Sequence, residues 1–205
     1  MSKLRFFYGP MNSSKTIQML TEMHNYKTQN KSVILLKPNC DIRFESQSEG
    51  DRFVKSRISS IQAKIDEVIY PDQSKLESCL NNVQCIFVDE AQFLSRQNID
   101  MLKAISMNIT VQCYGLRTDY KTNLFEGSKR LFELSDEIIE ISRVCAMNNS
   151  CLNKAIVNMK YIEENGNIIP VAEGSNDIDL GAEEKYIGVC WKCWVNKLGN
   201  TSPKP

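Results

Sequence analysis

The residues best suited to chemistry lie in one short segment near the N-terminus. An apolar run at residues 4–8 precedes this segment, and a helical pattern follows it. Strand, loop and helix, with Lys15 and Thr16 at the helix start, is the layout of a phosphate-binding P-loop, whose lysine reaches the terminal phosphates and whose threonine ligates Mg²⁺. The loop N–H groups and the helix dipole favour phosphate oxygens there. The segment reads Gly9-Pro10-Met11-Asn12-Ser13-Ser14-Lys15-Thr16.

The position before Lys15 departs from the P-loop pattern, because it holds Ser14 where the pattern asks for glycine. If the loop needs a positive φ at this position, a residue other than glycine costs roughly 1–2 kcal/mol. The alternative interpretation is an ordinary polar turn in which the side chain of Ser13 or Ser14 caps the helix.

A pair of carboxylates, Asp89 and Glu90, directly follows a strongly apolar run at residues 85–88. An aspartate at a strand end can hold Mg²⁺ or its waters, as the Walker-B aspartate does in P-loop proteins. Glu90 could take a proton from an attacking hydroxyl in a kinase, or orient a water molecule in an ATPase. The alternative is a surface pair that closes a strand.

Four of the eight cysteines fall in the last third of the chain and form two local pairs. Cys190 and Cys193 are separated by two residues, whereas Cys145 and Cys151 are separated by five, which exceeds the usual spacing. Four thiolates in two pairs are typical of a closed structural Zn²⁺ site, and a metal would explain how a turn-rich module stays folded. A redox-active CxxC and unligated thiols are the alternatives.

The remaining pattern predicts the elements that position these groups. Near-continuous apolar strands alternate with helical segments, which indicates an α/β fold with a parallel sheet and helices on both faces. Ligands of such sheets bind beyond the carboxyl ends of the strands, where the loop and the carboxylates would both lie. Turns multiply from about residue 142, so we expect a P-loop domain at 1–141, a small second domain at 142–198 and a disordered tail at 199–205. The expected strands are 4–8, 33–36, 65–69, 85–88 and 109–116, and the expected helices are 14–30, 73–82, 95–106 and 127–134.

Composition narrows the function classes. The 205 residues carry 25 basic and 25 acidic side chains, so no electrostatic argument for a nucleic-acid or membrane-surface partner arises. No apolar run approaches the roughly 18 residues of a transmembrane helix. The first residues run directly into the first strand, which leaves no room for a signal peptide and favours a cytoplasmic protein.

Six sequence blocks make the chain similar to the cellular-type (type II) thymidine kinase family over about residues 3–198. Each block is a weak to moderate signal by itself, but six blocks in the right order are specific. The resemblance implies a RecA-like P-loop domain, a small zinc-binding lasso domain and a homotetramer. The blocks are the segment 9–16, Asp41-Ile42-Arg43-Phe44, Val88-Asp89-Glu90-Ala91-Gln92-Phe93, Tyr114-Gly115-Leu116-Arg117-Thr118-Asp119-Tyr120, Phe125-Glu126-Gly127-Ser128 and Lys185-Tyr186-Ile187-Gly188-Val189-Cys190.

The same resemblance implies an activity and the residues that carry it. Such enzymes use Mg²⁺ and transfer the γ-phosphoryl group of ATP to the 5′-hydroxyl of thymidine or deoxyuridine, which gives dTMP in nucleotide salvage. Glu90 is then the catalytic base, and Arg43 steadies the transferring phosphoryl group. Asp89 and Thr16 support Mg²⁺, and Gln92 joins the P-loop among the nucleotide-binding residues. The implied zinc ligands are Cys145, Cys151, Cys190 and Cys193. The implied nucleoside contacts are Met11, Leu116, Tyr120, Phe125, Asp177, Ile178, Asp179, Leu180, Gly181 and Tyr186.

Two rival functions stay open. One is a P-loop ATPase in which Glu90 activates water, and the other is a non-catalytic nucleotide-binding module with a degenerate loop and a zinc ribbon. Without the resemblance, core packing is the favoured interpretation of the apolar residues assigned to the nucleoside pocket. A further departure from the family is Ala182, which stands where the lasso usually has a second glycine.

Overall fold

The structure is a computed structural model that describes residues 2–40, 53–55, 61–78, 80–164, 167–170 and 186–198. The strands of its larger part are β1 Leu4–Tyr8, β2 Ser32–Pro38, β3 Phe53–Lys55, β4 Gln62–Lys64, β5 Glu67–Ile69, β6 Val83–Val88, β7 Thr110–Gly115 and β8 Glu137–Glu140. The helices of this part are α1 Lys15–Thr28, α2 Arg96–Ile105 and α3 Glu126–Leu134. Within the described ranges, six of these strands form one parallel sheet in the order β5-β2-β6-β7-β1-β8, and β3 pairs with β4 antiparallel.

Helices cover both faces of the parallel sheet. Leu35 and Phe87 are buried against α1 on one face, whereas Leu36 and Val88 are buried under α2 and α3 on the other. This alternation follows from the two-residue period of a strand, and burial on both faces explains why the strands read as continuous apolar runs. The predicted α/β class with helices on both faces is therefore confirmed. No helix within the described ranges is both long and apolar enough to cross a membrane.

The helix predicted at residues 73–82 is wrong, because the described residues there form turns rather than a helix. The Glu67 carboxylate accepts hydrogen bonds from the backbone N–H of Glu77 at 2.9 Å and of Ser78 at 2.8 Å. These bonds satisfy the backbone without a helix. Burial opposes ionisation of Glu67, but the hydrogen bonds outweigh it and lower the pKa of this carboxyl group.

Strand β8 is an element that the sequence analysis did not predict. It lies at the edge of the sheet and pairs with β1 in parallel, from Arg5 opposite Glu137 to Tyr8 opposite Glu140. Its sequence is only four residues long and has a glutamate at each end, so it does not form the apolar run that identifies a buried strand.

The cysteine-rich part contains a small antiparallel sheet of its own. Val157 and Met159 point into its core, and Asn158 and Lys160 alternate with them along the first strand. A search for continuous apolar runs overlooks this two-residue period, which is why the sequence analysis expected mainly turns here. The sheet order among the described residues is β10-β9-β11, formed by β9 Val157–Glu164, β10 Asn167–Pro170 and β11 Tyr186–Val189, which is followed by helix α4 Trp191–Leu198.

Candidate active site

The segment 9–16 lies between the end of β1 and the start of α1, where the P-loop pattern places it. Its backbone passes through two left-handed residues, Asn12 with φ 57° and Ser14 with φ 67°. Ser14 therefore occupies a conformation that favours glycine, and the strain costs roughly 1–2 kcal/mol. The Ser14 side chain makes no capping hydrogen bond to α1, so helix capping does not explain its presence.

The ammonium group of Lys15 lies over the loop. Its Nζ donates to the carbonyl oxygens of Gly9 at 3.1 Å and Pro10 at 2.8 Å, and lies 3.4 Å from Ser13 Oγ. Gly9 is required by the lack of space, since a Cβ there would lie 2.4 Å from the carbonyl oxygen of Ile141 and 2.5 Å from Ser13 Oγ. The loop is thus a compact turn that carries a positive charge, as phosphate binding requires.

Asp89 and Glu90 lie at the same edge of the sheet as this loop. One strand, β7, separates β6 from β1, so two strand spacings, about 10 Å, separate the two segments. Asp89 is buried, and its N–H donates to the Leu36 carbonyl oxygen at 3.1 Å. Glu90 is half-buried and left-handed, with φ 50° and ψ 38°, at the start of the short 3₁₀ helix Ala91–Phe93. Strained backbone of this kind clusters at functional sites.

Lys37 is a buried lysine on the strand next to the one that carries these carboxylates, and the sequence analysis missed it. It is 3% exposed and lies near the carboxyl end of β2, the strand next to β6. The register pairs Leu36 with Val88. Lys37 and Asp89 are the next residues along the chain, and successive side chains alternate between the two faces of a sheet. Lys37 and Asp89 therefore share one face. The available signal was a charged residue at the end of an apolar strand.

Gln92 is 2% exposed, and both ends of its side-chain amide bind protein atoms. Its Nε2 donates to Glu90 Oε2 at 2.6 Å, and its Oε1 accepts from the N–H of Leu116 at 3.0 Å. The carbonyl oxygen of Leu116 in turn accepts from Ser128 Oγ at 2.5 Å. One hydrogen-bonded chain therefore connects the candidate base to the segment that follows β7.

The structure brings together two of the three ring side chains assigned to the nucleoside pocket. Tyr120 follows β7 and Tyr186 begins β11, yet their ring centroids are 6.4 Å apart. Lys160, which the sequence analysis missed, places Nζ 5.5 Å from the first ring centroid and 6.0 Å from the second. Phe125 stacks edge-to-face on Phe93, with centroids 5.6 Å apart. Two further members of the predicted pocket, Leu116 and Met11, are buried and half-buried respectively.

The small antiparallel sheet packs directly on the phosphate loop. Asn158 on β9 accepts a hydrogen bond from the N–H of Met11 at 2.8 Å and donates to the carbonyl oxygen of Thr118 at 3.0 Å. Gly188 on β11 lies so close that an added Cβ would be 3.1 Å from Pro10 Cβ. Sequence reasoning missed Asn158, because a single asparagine in a strand carries no pattern.

Part of the predicted site lies outside the described residues, as does the predicted disordered tail at 199–205. The predicted site residues concerned are Arg43, Asp177, Ile178, Asp179, Leu180 and Gly181.

The four predicted zinc ligands form one cluster, with all their sulfur atoms within 4.8 Å of one another. Cys151 Sγ lies 3.8 Å from Cys190 Sγ and 3.7 Å from Cys193 Sγ. A tetrahedral site with Zn–S bonds near 2.3 Å sets its sulfur atoms about 3.8 Å apart, so the cluster fits Zn²⁺. These distances exceed a disulfide bond, and the cysteines of the cluster are free thiols.

The long spacing of the first cysteine pair is absorbed by a turn. Cys151 N–H donates to the carbonyl oxygen of Asn148 at 3.3 Å, and Asn148 Oδ1 accepts from the N–H of Ser150 at 3.1 Å. The cluster also favours thiolate formation at one of its members. Burial opposes ionisation of Cys190, but hydrogen bonds from the Cys193 N–H and the neighbouring thiols outweigh it and lower the pKa of Cys190 to about 7.

Comparison with known proteins adds a family to this geometry. The thymidine kinase family model matches residues 2–194. The chain is 38% identical over 202 residues to the thymidine kinase of Streptococcus pyogenes serotype M3, covering 96% of this chain and 98% of that protein. It is 40% identical over 202 residues to the thymidine kinase of Encephalitozoon cuniculi, covering 97% and 89%. It is 39% identical over 207 residues to the thymidine kinase of Enterobacteria phage T4, covering 97% and 100%.

Proposed function

The chain belongs to the thymidine kinase family, and from this premise we propose that it transfers the γ-phosphoryl group of ATP to the 5′-hydroxyl of thymidine, and also of deoxyuridine. The observation that carries the proposal is the placement of the phosphate loop and the Asp89–Glu90 pair at one edge of one sheet. A nucleotide on the loop would direct its terminal phosphate towards these carboxylates. A binding module has no need of a carboxylate pair beside its phosphate site.

The proposed chemistry uses Glu90 as general base. Glu90 accepts the proton of the 5′-hydroxyl as its oxygen bonds to the γ-phosphorus, while the bond from that phosphorus to the β–γ bridging oxygen breaks and ADP leaves. Lys15 neutralises charge on the terminal phosphates, and Arg43 is assigned the task of steadying the transferring phosphoryl group. Mg²⁺, when bound by Thr16 and Asp89, would neutralise the developing phosphate charge.

The nucleoside side of the site is proposed to exclude water. The apolar and ring side chains would enclose the base, and residues 177–181 would read its edge through backbone groups. Burial of the nucleoside favours transfer to the sugar hydroxyl over hydrolysis of ATP. The proposed walls are Met11, Leu116, Tyr120, Phe125 and Tyr186.

The cysteine cluster is proposed to hold a structural Zn²⁺ in a lasso domain at 142–198, beside a kinase domain at 1–141. The sulfur spacing supports this assignment. We also propose that the protein is cytoplasmic and forms a homotetramer. Sedimentation of the purified protein gives the mass of the assembly and would test the homotetramer.

Thymidine-dependent formation of ADP and dTMP from ATP and Mg²⁺ tests the proposed function, with a reaction without nucleoside as control. Equal amounts of ADP and dTMP that appear only with thymidine are expected. Equal ADP in both reactions would instead identify an ATPase, and binding of ATP without any ADP would identify a non-catalytic module.

The base assignment has its own test in Glu90→Gln. This variant keeps the size and hydrogen-bonding reach of the side chain but cannot accept the proton. Turnover should fall by about 10²–10⁴-fold, whereas the affinity for ATP, measured by calorimetry, should stay nearly unchanged. Unchanged turnover would remove Glu90 from the role of base.

A further inference from the structure

Gln92 occupies a position from which it can orient Glu90. Its Nε2 lies 2.6 Å from Glu90 Oε2, and its side chain is almost completely buried. A glutamate side chain has three rotatable bonds, so its carboxylate needs an external contact to keep one orientation. The amide of a buried glutamine is such a contact, because burial and a second hydrogen bond fix the amide itself.

The second hydrogen bond of Gln92 comes from the main chain. Oε1 accepts a hydrogen bond from the N–H of Leu116. Only the NH₂ end of the amide can donate to a carboxylate, so this end faces Glu90. Both contacts therefore require the same orientation of the amide. The chain of contacts therefore runs from the Leu116 backbone, through the amide, to the carboxylate.

The absence of a side chain at two neighbouring glycines makes room for Gln92 and its backbone. A Cβ on Gly115 would lie 2.6 Å from Gln92 Oε1 and 3.1 Å from Gln92 N. A Cβ on Gly127 would lie 2.6 Å from the carbonyl oxygens of Ala91 and Leu94 and 2.9 Å from that of Gln92. The backbone of β7 and the start of α3 thus press directly on the 3₁₀ helix, which leaves Gln92 little freedom to move.

The backbone at Glu90 also needs support. Glu90 is left-handed, and the N–H of Phe93 donates to its carbonyl oxygen at 3.1 Å. A residue other than glycine in this conformation is strained and persists only where its surroundings hold it. The Gln92 contact lies on the side chain of the same residue, so both the backbone and the carboxylate of Glu90 are constrained.

We propose that Gln92 is a positioning residue that holds the Glu90 carboxylate in the orientation in which it accepts the proton of the substrate hydroxyl. The proposal rests on the proposed function of Glu90 as base. It gives Gln92 a role distinct from direct contact with ATP. Because Gln92 acts through Glu90, its loss lowers kcat and leaves the KM values for ATP and thymidine nearly unchanged.

A double-mutant cycle with Gln92→Met and Glu90→Gln tests the proposal. Methionine has nearly the length and volume of glutamine but no amide. In the parent protein, Gln92→Met should lower kcat by about 10- to 100-fold, the scale expected for a misplaced catalytic group, with both KM values within about threefold. In the Glu90→Gln background the same substitution should change kcat less than about threefold, because residues that act as a unit are not additive.

Ser128→Ala is the matched control for damage to the Leu116 segment. It removes the hydrogen bond that Ser128 Oγ donates to the Leu116 carbonyl oxygen and leaves the contact between Gln92 and Glu90 in place. The melting temperature should fall for both Ser128→Ala and Gln92→Met, but kcat should fall much less for Ser128→Ala, which keeps the contact between the amide and the carboxylate.

The outcomes separate the two proposals. A loss of kcat that is equally large in both backgrounds, or a rise in KM for ATP with unchanged kcat, would overturn the positioning role and leave the proposed kinase activity intact. Turnover of the parent protein that does not depend on thymidine would overturn the proposed function and the positioning role together.

Discussion

The backbone N–H of Met11 in the phosphate loop donates a 2.8 Å hydrogen bond to Oδ1 of Asn158, a residue of the small antiparallel sheet. Asn158 is 4% exposed, and its Nδ2 donates to the carbonyl oxygen of Thr118 beyond β7. One side chain therefore fixes three segments that are distant in sequence. The conformation of the phosphate loop depends on the part of the chain that carries the cysteine cluster.

Replacing Asn158 by leucine should weaken both the fold and the binding of ATP. The substitution keeps the branching and the number of heavy atoms of the side chain but leaves the partly buried Met11 N–H without its acceptor, which costs about 1–3 kcal/mol. For a chain of this size the melting temperature should fall by about 2–4 °C per kcal/mol. The KM for ATP should rise in steady-state assays, because the loop loses a fixed point.

Asn196→Leu is the control for Asn158→Leu, because Asn196 is exposed on α4. It should leave both the melting temperature and the KM for ATP at the parent values. An Asn158→Leu protein as stable as this control would show that water replaces the lost hydrogen bonds.

The local motifs were predictable from the sequence because neighbouring residues determine them. The strand at residues 4–8, the loop at 9–16 and the helix after it follow from an apolar run, a polar turn and a helical period. The apolar run before Asp89 likewise identifies β6 and places the carboxylates at its end. The cysteine cluster was predictable because two local pairs of thiols can bind the same metal ion.

The contacts between distant segments were not predictable in the same way. The predicted helix at 73–82 fails because a side chain from another segment, Glu67, satisfies its backbone N–H groups. The role of Asn158 depends on the packing of the small sheet on the phosphate loop. The position of Lys37 near Asp89 depends on the register of β2 and β6. Arg43 lies outside the described residues, so its role stays a prediction.

Ser14→Gly should stabilise the protein. Ser14 has φ 67° and makes no side-chain cap, so glycine removes a strain of roughly 1–2 kcal/mol and loses no hydrogen bond to α1. The greater freedom of glycine in the unfolded chain offsets about 0.4–1 kcal/mol of this gain. The melting temperature measured by calorimetry should therefore rise by about 2 °C.

A substitution at another left-handed position is the comparison for Ser14→Gly. Asn82 has φ 64° in the turn before β6, and asparagine tolerates this conformation better than serine. Asn82→Gly should change the melting temperature less than Ser14→Gly does. A lower melting temperature for Ser14→Gly would mean that the serine side chain stabilises the loop by another contact.

Gly188→Val should displace the phosphate loop. Even a single Cβ at this position would lie 3.1 Å from Pro10 Cβ and 3.3 Å from the Met11 carbonyl oxygen, so valine overpacks the contact, at a cost of about 1–3 kcal/mol. If most of this strain falls on the loop, the KM for ATP should rise about tenfold, which corresponds to about 1.4 kcal/mol.

Ile187→Val, on the same strand, separates loop displacement from loss of stability in the small sheet. Ile187 packs against the core of that sheet, so this change should lower the stability by about 0.5–1.5 kcal/mol without changing the KM for ATP. Equal KM values for Gly188→Val and Ile187→Val would show that β11 moves to accommodate the valine and that the loop keeps its position.

Removal of the proposed Zn²⁺ should loosen the small sheet before the parallel one. The cluster joins the segment before β9, which carries Cys145 and Cys151, to Cys190 and Cys193 at the start of α4, and the protein core around it is small. A chelator under reducing conditions should therefore release one Zn²⁺ per chain and increase amide exchange in β9 and β11, while β1, β6 and β7 stay protected. Because Asn158 connects β9 to Met11, exchange in the phosphate loop should increase as well.

Cys190→Ser should reproduce these changes, and Cys40→Ser, which alters an exposed cysteine outside the cluster, should not. Full protection of β9 and β11 after complete metal release would show that packing alone holds this sheet on the loop.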